Sequence, residues 1–185
     1  MIKVRLEFCK ADNVRWLSHL EISRAWHRII NRAGLPIAYS EGFSPHPKIA
    51  LSAALPVGIG SEAEYADLVL CDEIPAEELF QRLNDAAPAG IKISRVGEVP
   101  PGTPSLGASI KFADYRLSFA GPAGPVDDIV RLPIESKLNA AITAEAESRG
   151  VQRDAIVVDR VAQWVIVENG LVDPMRMLEM RKVDE

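Results

Sequence analysis

IKVRLEF at residues 2–8 alternates apolar side chains with charged ones, as does a β-strand with one buried face. After a short loop, SHLE at residues 18–21 has the Ser-x-x-Glu pattern of a capping box, which marks the start of a helix. Apolar residues then recur with a period near 3.6 as far as Ala33, and Gly34 and Pro36 end the run. The stretch therefore predicts a strand followed by an amphipathic helix.

The following segments extend this pattern to residue 99. Hydrophobic runs predict further strands at residues 35–40, 48–55, 63–71 and 91–99. The second of these is either a separate strand or the continuation of the first beyond a loop rich in Gly and Pro. Pro75 opens a second helix, because proline suits the first helical position and Glu77 and Glu78 suit the positive helix end. The order β-α-β-β-α-β predicts a ferredoxin-like unit over residues 1–99 of an α+β protein.

The second half of the chain has a different pattern. Residues 100–108 predict a linker, because Pro and Gly are dense there. The elements predicted beyond it are a strand at 109–119, a loop at 121–125, a helical tract within 126–149, and strands at 155–159 and 163–168. Together they predict a second, smaller and incomplete βαββ unit over residues 109–185.

The composition is that of a globular protein, with 48% hydrophobic and 25% charged residues in a chain of 185. No apolar run approaches the roughly 18 residues that a membrane-spanning helix needs. The alternating N-terminus does not have the pattern of a signal peptide, so we expect a soluble, cytoplasmic protein.

Charge is distributed unevenly along the chain. Residues 1–60 hold 8 Lys or Arg against 4 Asp or Glu, a net charge of +4, which leaves −9 for the remainder of a chain whose total is −5. The basic first part favours an anionic partner such as RNA. Solvated charges that happen to cluster explain the asymmetry equally well.

Cys9 and Cys71 are too few for a disulfide framework, a cysteine-rich zinc site or an iron–sulfur cluster. We expect the first and third strands to be parallel neighbours, with both cysteines at their C-terminal ends and on the side away from the helices. The pair is therefore a candidate metal or redox site, although a free buried cysteine is the more common outcome. The residues assign no cofactor to this chain.

Residues 39–65 concentrate glycine, proline and polar side chains. Such residues occur where a loop is held in one conformation or where a ligand approaches the main chain. The donors in this stretch that suit a phosphate are Ser40, Ser44, His46, Lys48, Ser52 and Ser61. A rigid connector between strands is the alternative, although a connector seldom needs so many special residues.

Two histidines and a row of arginines are further candidates. His19 and His46 are possible acid–base residues or phosphate donors, although His19 also suits simple packing at a helix start. Arg24, Arg28 and Arg32 recur every four residues on the first helix. Such a row can follow a phosphate backbone, and it is also typical of a solvated helix face.

Lys3 and Arg5 are expected on the open face of the sheet, where a partner protein can dock. Ferredoxin-like RNA binders read bases on this face with exposed aromatic side chains, and the first strand has none there. The sequence also lacks the GxGxxG, Walker, HExxH and GxSxG motifs of familiar nucleotide-binding and catalytic sites.

RWLSHLEISRAWHRIINRAGLPIAYSEGFSPHPKIALSAALPVGIGSEAEYADL, residues 15–68, resembles the radical-SAM-linked protein family, a domain of unknown function. The corresponding patterns of that family are FLSHLD, RAxLPxxYSxGFxPHPxI and LPxGxxSxxEYxD. The matching positions are Ser18, His19, Leu20, Ser40, Gly42, Phe43, Pro45, His46, Pro47, Leu55, Pro56, Gly58, Ser61, Glu64 and Tyr65. Glu21 stands where the family has Asp, and the resemblance covers residues 2–100.

Members of that family are found beside radical SAM enzymes or fused to them. The resemblance implies that the cofactor chemistry belongs to the partner, since this chain lacks the CxxxCxxC signature. We expect an accessory or substrate-binding protein that works with a radical SAM enzyme and presents an RNA such as tRNA to it. The alternatives are an RNA-processing or RNA-modifying enzyme that uses His19 or His46, and a structural protein-interaction module.

The expected binding surface combines the motif positions with the basic helix. Its residues are Arg15, Ser18, His19, Arg24, Arg28, Ser40, Gly42, Phe43, Ser44, His46, Lys48, Ser61 and Glu64. In this hypothesis the arginines and Lys48 attract phosphate, and the loop at residues 40–48 grips it.

Overall fold

The computed structural model describes residues 1–121, 124–134, 138–152, 155–167 and 170–181. Within these ranges, eight strands form one mixed sheet, and the chain is an α+β protein. The strands are β1 (Ile2–Lys10), β2 (Ile49–Leu51), β3 (Gly60–Leu70), β4 (Ile91–Glu98), β5 (Ile110–Gly121), β6 (Gly124–Pro133), β7 (Val157–Val167) and β8 (Gly170–Val172).

Five α-helices and one 3-10 helix accompany the sheet in the described ranges. The α-helices are α1 (His19–Arg32), α2 (Ala76–Ala86), α3 (Leu106–Ser109), α4 (Leu138–Ser148) and α5 (Arg176–Arg181). The 3-10 helix covers Asp12–Trp16, directly before α1. Among the described residues, the helices are too short or too polar to cross a bilayer.

The strand order is β4-β1-β3-β7-β5-β6, with β2 beside β3 and β8 beside β7. In the first half, β1 pairs antiparallel with both β3 and β4. The expectation that the first and third strands run parallel is therefore wrong. β2 pairs antiparallel with β3 and is much shorter than predicted, because the run at 35–40 contributes only the isolated bridges of Ile37 and Tyr39.

The helices α1 and α2 cover one face of this half of the sheet. The predicted capping box is confirmed: the Ser18 hydroxyl accepts from the Glu21 amide, and the Glu21 carboxylate accepts from the Ser18 amide at 2.9 Å. The apolar stripe of α1 is buried against β1, where the rings of Trp26 and Phe8 meet edge to face at 4.9 Å. Helix capping and side-chain burial thus orient α1 along the sheet.

The opposite face is not open, so the predicted exposure of Arg5 is wrong. Arg5 is fully buried, and its guanidinium donates to both carboxylate oxygens of Asp67 at 2.7 and 3.0 Å and to the Pro174 carbonyl at 3.3 Å. Met175 and Leu178 are buried on the same face, beside Gly97 of β4. Residues from the C-terminal part of the chain therefore cover the surface that we expected to dock a partner.

The helical tract predicted within residues 126–149 is present as α4, and two other details of the second half differ from the prediction. Residues 126–133 belong to strand β6 rather than to a helix, because Val130 and Leu132 pack against the core at the period of a strand, while Arg131 between them is exposed. The two strands predicted at 155–159 and 163–168 are one strand, β7. A bulge at Val161 marks the predicted break, since Arg160 and Ala162 pair with the adjacent residues Tyr115 and Asp114.

A short parallel contact joins the two halves into one sheet. Among the described residues, β3 and β7 pair only through Gly60 with Asp159 and Ser61 with Arg160. Residues 100–108, between β4 and β5, include the start of α3, whose Leu106 is fully buried. The division into two domains at this segment stays a prediction.

We predict that Gly60→Ala destabilises the protein by about 1–3 kcal/mol, because a methyl group there overlaps the Asp159 carboxylate and crowds the Lys10 carbonyl. Asp159 cannot move freely, since Arg15 holds it at 3.2 Å. The matched control is Gly107→Ala in α3, where nothing lies within 4 Å of the added methyl. Urea unfolding measures both, and equal midpoints for the two variants contradict the prediction.

Candidate functional site

The predicted surface at residues 39–65 is divided between an exposed hairpin and a buried strand. We define the hairpin as residues 38–48. Ser40 donates its amide to the His46 carbonyl at 2.8 Å, and the His46 amide donates to the Ser40 hydroxyl at 3.0 Å. Gly42 has a φ of +119°, a conformation that glycine adopts readily and that shapes the tip.

The tip of the hairpin is exposed along residues 41–46. Phe43 is 112% exposed, so its ring makes almost no contact with the rest of the protein. Tyr39 at the base is 49% exposed, and Ser44, His46 and Lys48 also face solvent. The structure thus presents an aromatic side chain at the end of a hydrogen-bonded support.

The basic face of α1, formed by Arg24 and Arg28, begins beyond the first turn of that helix. Arg24 and Arg28 are exposed, and neither takes part in an ion pair among the described residues. His19 is also exposed, at the first helical position, whereas Ser18 is occupied in the capping box. His19 lies near Lys10, whose strand partner Ser61 is at the start of β3, whereas the hairpin that carries His46 bonds to Val69 at the end of β3.

Arg15 is bound within the protein rather than presented to solvent. Its Nε donates to the Gly58 carbonyl at 2.9 Å, and its Nη2 donates to the Val158 carbonyl and the Asp159 carboxylate, both at 3.2 Å. The guanidinium therefore bridges the segments that enter β3 and β7, and we leave it out of the phosphate-binding surface.

Glu64 lies in a buried polar group that we call the Glu64 cluster, made of Ser52, Glu64, Tyr115, Arg160 and Gln163. The Glu64 carboxylate accepts from Arg160 Nη1 at 3.0 Å and from the Ser52 hydroxyl at 3.1 Å. Arg160 also donates to the Tyr115 hydroxyl at 3.1 Å, and Gln163 donates to the Ser52 hydroxyl at 3.3 Å. The cluster consequently ties β3 to β5 and β7 of the second half.

Electrostatics favour the charged state of Arg160. Burial alone lowers the pKa of Arg160, but the neighbouring Glu64 carboxylate and Tyr115 hydroxyl outweigh it and hold that pKa above its usual value. Ser61, which pairs with Arg160 across the strands, is buried as well and accepts from the Ala63 amide at 3.2 Å. Glu64 and Ser61, both predicted to be binding residues, are therefore buried and hydrogen-bonded inside the protein.

Tyr65 faces the other side of β3 and has its own partners. Its hydroxyl donates to Glu7 at 2.9 Å, and Arg95 donates to the same carboxylate at 2.5 Å. Burial and the adjacent Glu7 raise the pKa of Tyr65 above its ordinary range. Burial also tends to raise the pKa of Glu7, but hydrogen bonds from Arg95, Tyr65 and Ser94 outweigh this and lower it.

Lys10 is a buried residue that the sequence interpretation assigned to a loop. It is 4% exposed, and its ammonium donates to the Leu17 carbonyl at 2.9 Å, directly before the α1 cap. The alternation of β1 indicates the burial of Lys10, because Lys10 stands two residues after Phe8 and its side chain therefore lies on the same face of the strand, toward the helices. Burial lowers the pKa of Lys10; Glu64 opposes this, and Arg160 and Arg15 add to it.

A narrow cavity of about 20 Å³ lies between the end of β1 and the start of α1, with room for roughly one water molecule. Its polar lining consists of Lys10, His19, Ser52 and Glu64. Its apolar lining consists of Phe8, Ile22, Leu51 and Leu55. The structure therefore brings together His19 and Glu64 of the expected binding surface with Ser52, a predicted phosphate donor directly after β2, and with Lys10 of β1.

The proposed closeness of Cys9 and Cys71 is wrong. Ile2 pairs with Leu70, so Cys71 lies near the beginning of β1, whereas Cys9 lies at its end. A separation of seven residues along a strand is about 23 Å, beyond the reach of a shared metal ion. No group of three potential metal ligands occurs in the part of the chain that the structure describes.

The fold and the Glu64 cluster define a mixed α+β protein whose two halves are held together by buried charged side chains. Residues 3–163 match the model of the family described as "Uncharacterized protein conserved in bacteria (DUF2344)", and the chain belongs to that family. No curated protein matches the chain. The family description names no activity, so the link to radical SAM enzymes stays a prediction.

We predict that Arg160→Met lowers the free energy of unfolding by about 3–5 kcal/mol, because it leaves the Glu64 carboxylate buried without its counter-charge. The matched control is Arg116→Met, which removes the partner of the exposed Glu62 and costs about 0–1 kcal/mol. Urea unfolding at neutral pH compares the variants. A cost for Arg160→Met no larger than that of the control contradicts an essential role for the buried pair.

Proposed function

We propose that the protein is an accessory protein that binds a partner protein through the hairpin at residues 38–48. The observation that supports this proposal is the complete exposure of Phe43 at the tip of a hairpin held by its own hydrogen bonds. The resemblance makes a radical SAM enzyme the expected partner and the cytoplasm the expected compartment.

Exposure and rigidity together favour binding over a purely structural role for the hairpin. An exposed phenylalanine ring gains free energy when a partner removes it from water, and inside this chain it has no packing role. Because the Ser40–His46 hydrogen bonds already hold the backbone, little conformational entropy is lost when the tip docks. Aromatic anchors of this kind often contribute most of the binding energy of an interface.

We predict that Phe43→Ser weakens binding to a radical SAM protein of the same organism at least about 10-fold, because a central aromatic anchor contributes about 2 kcal/mol or more. Isothermal titration calorimetry of the two purified proteins under anaerobic conditions measures the effect. The matched control is Ile129→Ser, which removes an exposed apolar side chain from β6. Equal affinities of both variants and the unchanged protein refute the role of the hairpin, and no binding at all refutes the partner.

RNA is a second candidate ligand, supported by the two arginines on α1. Arg24 and Arg28 are exposed one turn apart on the same helix, and neither has an ion-pair partner among the described residues. Lys48 is exposed in the hairpin. Cations that are not neutralised by neighbouring carboxylates are available to release counterions from a phosphate backbone.

We predict that the double variant Arg24→Glu/Arg28→Glu abolishes binding of tRNA, because it replaces two attractive charges with repulsive ones. The matched control is Lys92→Glu/Lys111→Glu, which changes two exposed lysines elsewhere by the same charge. Fluorescence anisotropy at about 50 and 200 mM salt measures affinity and its salt dependence. Binding that is insensitive to salt, or equally weakened by both double variants, removes α1 from the proposal.

We also propose that residues 2–98 are a ferredoxin-like unit. The elements β1, α1, β2, β3, α2 and β4 follow one another in the order of that fold, and their strands lie in the order β4-β1-β3-β2. In this arrangement the hairpin leaves the edge strand β2, so its tip extends away from the sheet.

A further inference from the structure

We propose that a groove beside Trp16 binds one unpaired base of the RNA strand whose phosphates α1 attracts. The inference rests on the proposed RNA binding by α1, and it names the class of RNA: one with a single-stranded segment next to the phosphates that contact the arginines. We call this site the Trp16 groove. Its lining consists of Arg15, Trp16, residues 57–59 and residues 156–158.

The Trp16 groove has the size and the walls of a site for a planar ring. Its volume is about 360 Å³, which lies within the range of small-molecule sites. Three of its apolar side chains are exposed, namely Trp16, Val57 and Val157, and three more are buried, namely Ile59, Ile156 and Val158. A base that enters the groove is therefore removed from water against apolar surface.

The indole of Trp16 is held in place as a surface for stacking. Its six-membered ring lies against Gly58, where an added methyl group would be 2.9 Å from one ring carbon and 3.5 and 3.6 Å from two others. The backbone before it is fixed to the same glycine, because the Gly58 amide donates to the Arg15 carbonyl at 3.0 Å and Arg15 Nε donates to the Gly58 carbonyl at 2.9 Å. Trp16 is nevertheless 64% exposed. A base can thus stack on it without reorganising the protein.

Charge favours a nucleic-acid strand over an apolar peptide as the occupant. Arg24, Arg28 and Arg32 are exposed on α1, and they take part in no ion pair within the described part of the chain. Successive arginines are about 6 Å apart along the helix axis, so the row of positive charge is about 12 Å long. Asp159, next to the groove residue Val158, is neutralised by Arg15 at 3.2 Å. A polyanion is the ligand that these charges complement.

The Trp16 groove lies at the N-terminal end of this row. Trp16 stands two positions before the cap residue Ser18, and Arg24 stands six positions after it, which is about 9 Å along the helix. Glu21, between them, accepts from the amide and the hydroxyl of Ser18. A strand whose phosphates contact Arg24 and Arg28 consequently reaches Trp16 within roughly two nucleotides. A fully paired stem keeps its bases stacked inside, so only an unpaired segment offers a base to the groove.

Two RNA hairpins that differ only in the bases of their tails test the inference. Both have the same stem and a short 3′ tail; one tail carries adenines, and the other is abasic and has the same charge. Fluorescence anisotropy at about 50 mM salt measures their affinity for the full chain. We expect the adenine tail to bind about 10-fold more tightly, because a stacked base contributes to affinity. We also expect this RNA, and not the abasic one, to protect tryptophan emission from quenching by acrylamide.

Four variants separate stacking from a structural effect. We expect Trp16→Leu to abolish the preference for the adenine tail, whereas Trp16→Phe retains an aromatic ring and most of the preference. Val157→Glu places a carboxylate at the exposed side of the groove, and we expect it to weaken the adenine-tailed RNA about 10-fold by repulsion. Its matched control, Ile129→Glu, places the same charge at an exposed position of β6 and leaves the affinity unchanged. The comparison of these last two variants decides the matter if Trp16→Leu does not fold.

The remaining outcomes distinguish this inference from the proposed function. Equal affinity of the unchanged protein for both RNAs, with binding lost in Arg24→Glu/Arg28→Glu, overturns the Trp16 groove and leaves the arginines as the RNA site. The absence of binding to either RNA overturns both proposals. Protection of Trp16 by the partner protein, and by neither RNA, assigns the groove to a protein and likewise overturns the inference.

Discussion

The ion pair between Arg160 and Glu64 is the interaction on which the rest of the structure depends. In the described part of the chain β3 and β7 share only two residue pairs, too few for backbone hydrogen bonds alone to fix how the two halves meet. Arg160 comes from one of those pairs, and its guanidinium reaches Glu64 on β3, Tyr115 on β5 and the Ala53 carbonyl. One buried side chain therefore sets the relation of three segments that are far apart in sequence.

Arg15 reinforces the same junction from the other end. It connects Gly58, before β3, with Val158 and Asp159 in β7. Asp159 in turn lies against Gly60, where only the absence of a side chain permits the approach. Charged groups that are buried in this way specify one geometry rather than adding much stability, because their desolvation offsets most of their attraction. The junction is thus selective for one arrangement of the two halves.

Local patterns in the sequence predicted the local structure well. The capping box at Ser18 and the burial of Trp26 follow from spacing within one helix, and both are confirmed. The alternation of β1, continued by two residues beyond Phe8, also predicts that Lys10 points inward. A charged residue at the end of a strand, however, equally suits the start of a loop. The pairing of Glu64 with Arg160 spans 96 positions, and a single sequence holds no signal for it. The sequence does not predict a strand at 126–133, because Asp127 and Asp128 interrupt the apolar alternation and Asp is unfavourable in strands. Pairing with β5 in a hairpin overrides this low strand propensity.

The residues that carry the family resemblance separate into two physical groups, and this separation indicates where function lies. One group serves the interior of the protein. Gly58 has a φ of +89°, and a methyl group added there would lie 2.9 Å from the Trp16 ring. Ser61 and Glu64 form hydrogen bonds inside the protein. The need to fold explains these three residues. Phe43 and His46 on the hairpin tip have exposed side chains, and packing explains neither of them. Specific residues on an exposed loop that do not stabilise the fold are stronger indicators of binding than residues of the core. The fold does not account for the hairpin part of the resemblance, which is why our proposal places partner binding there, whereas residues 58–64 join the two halves.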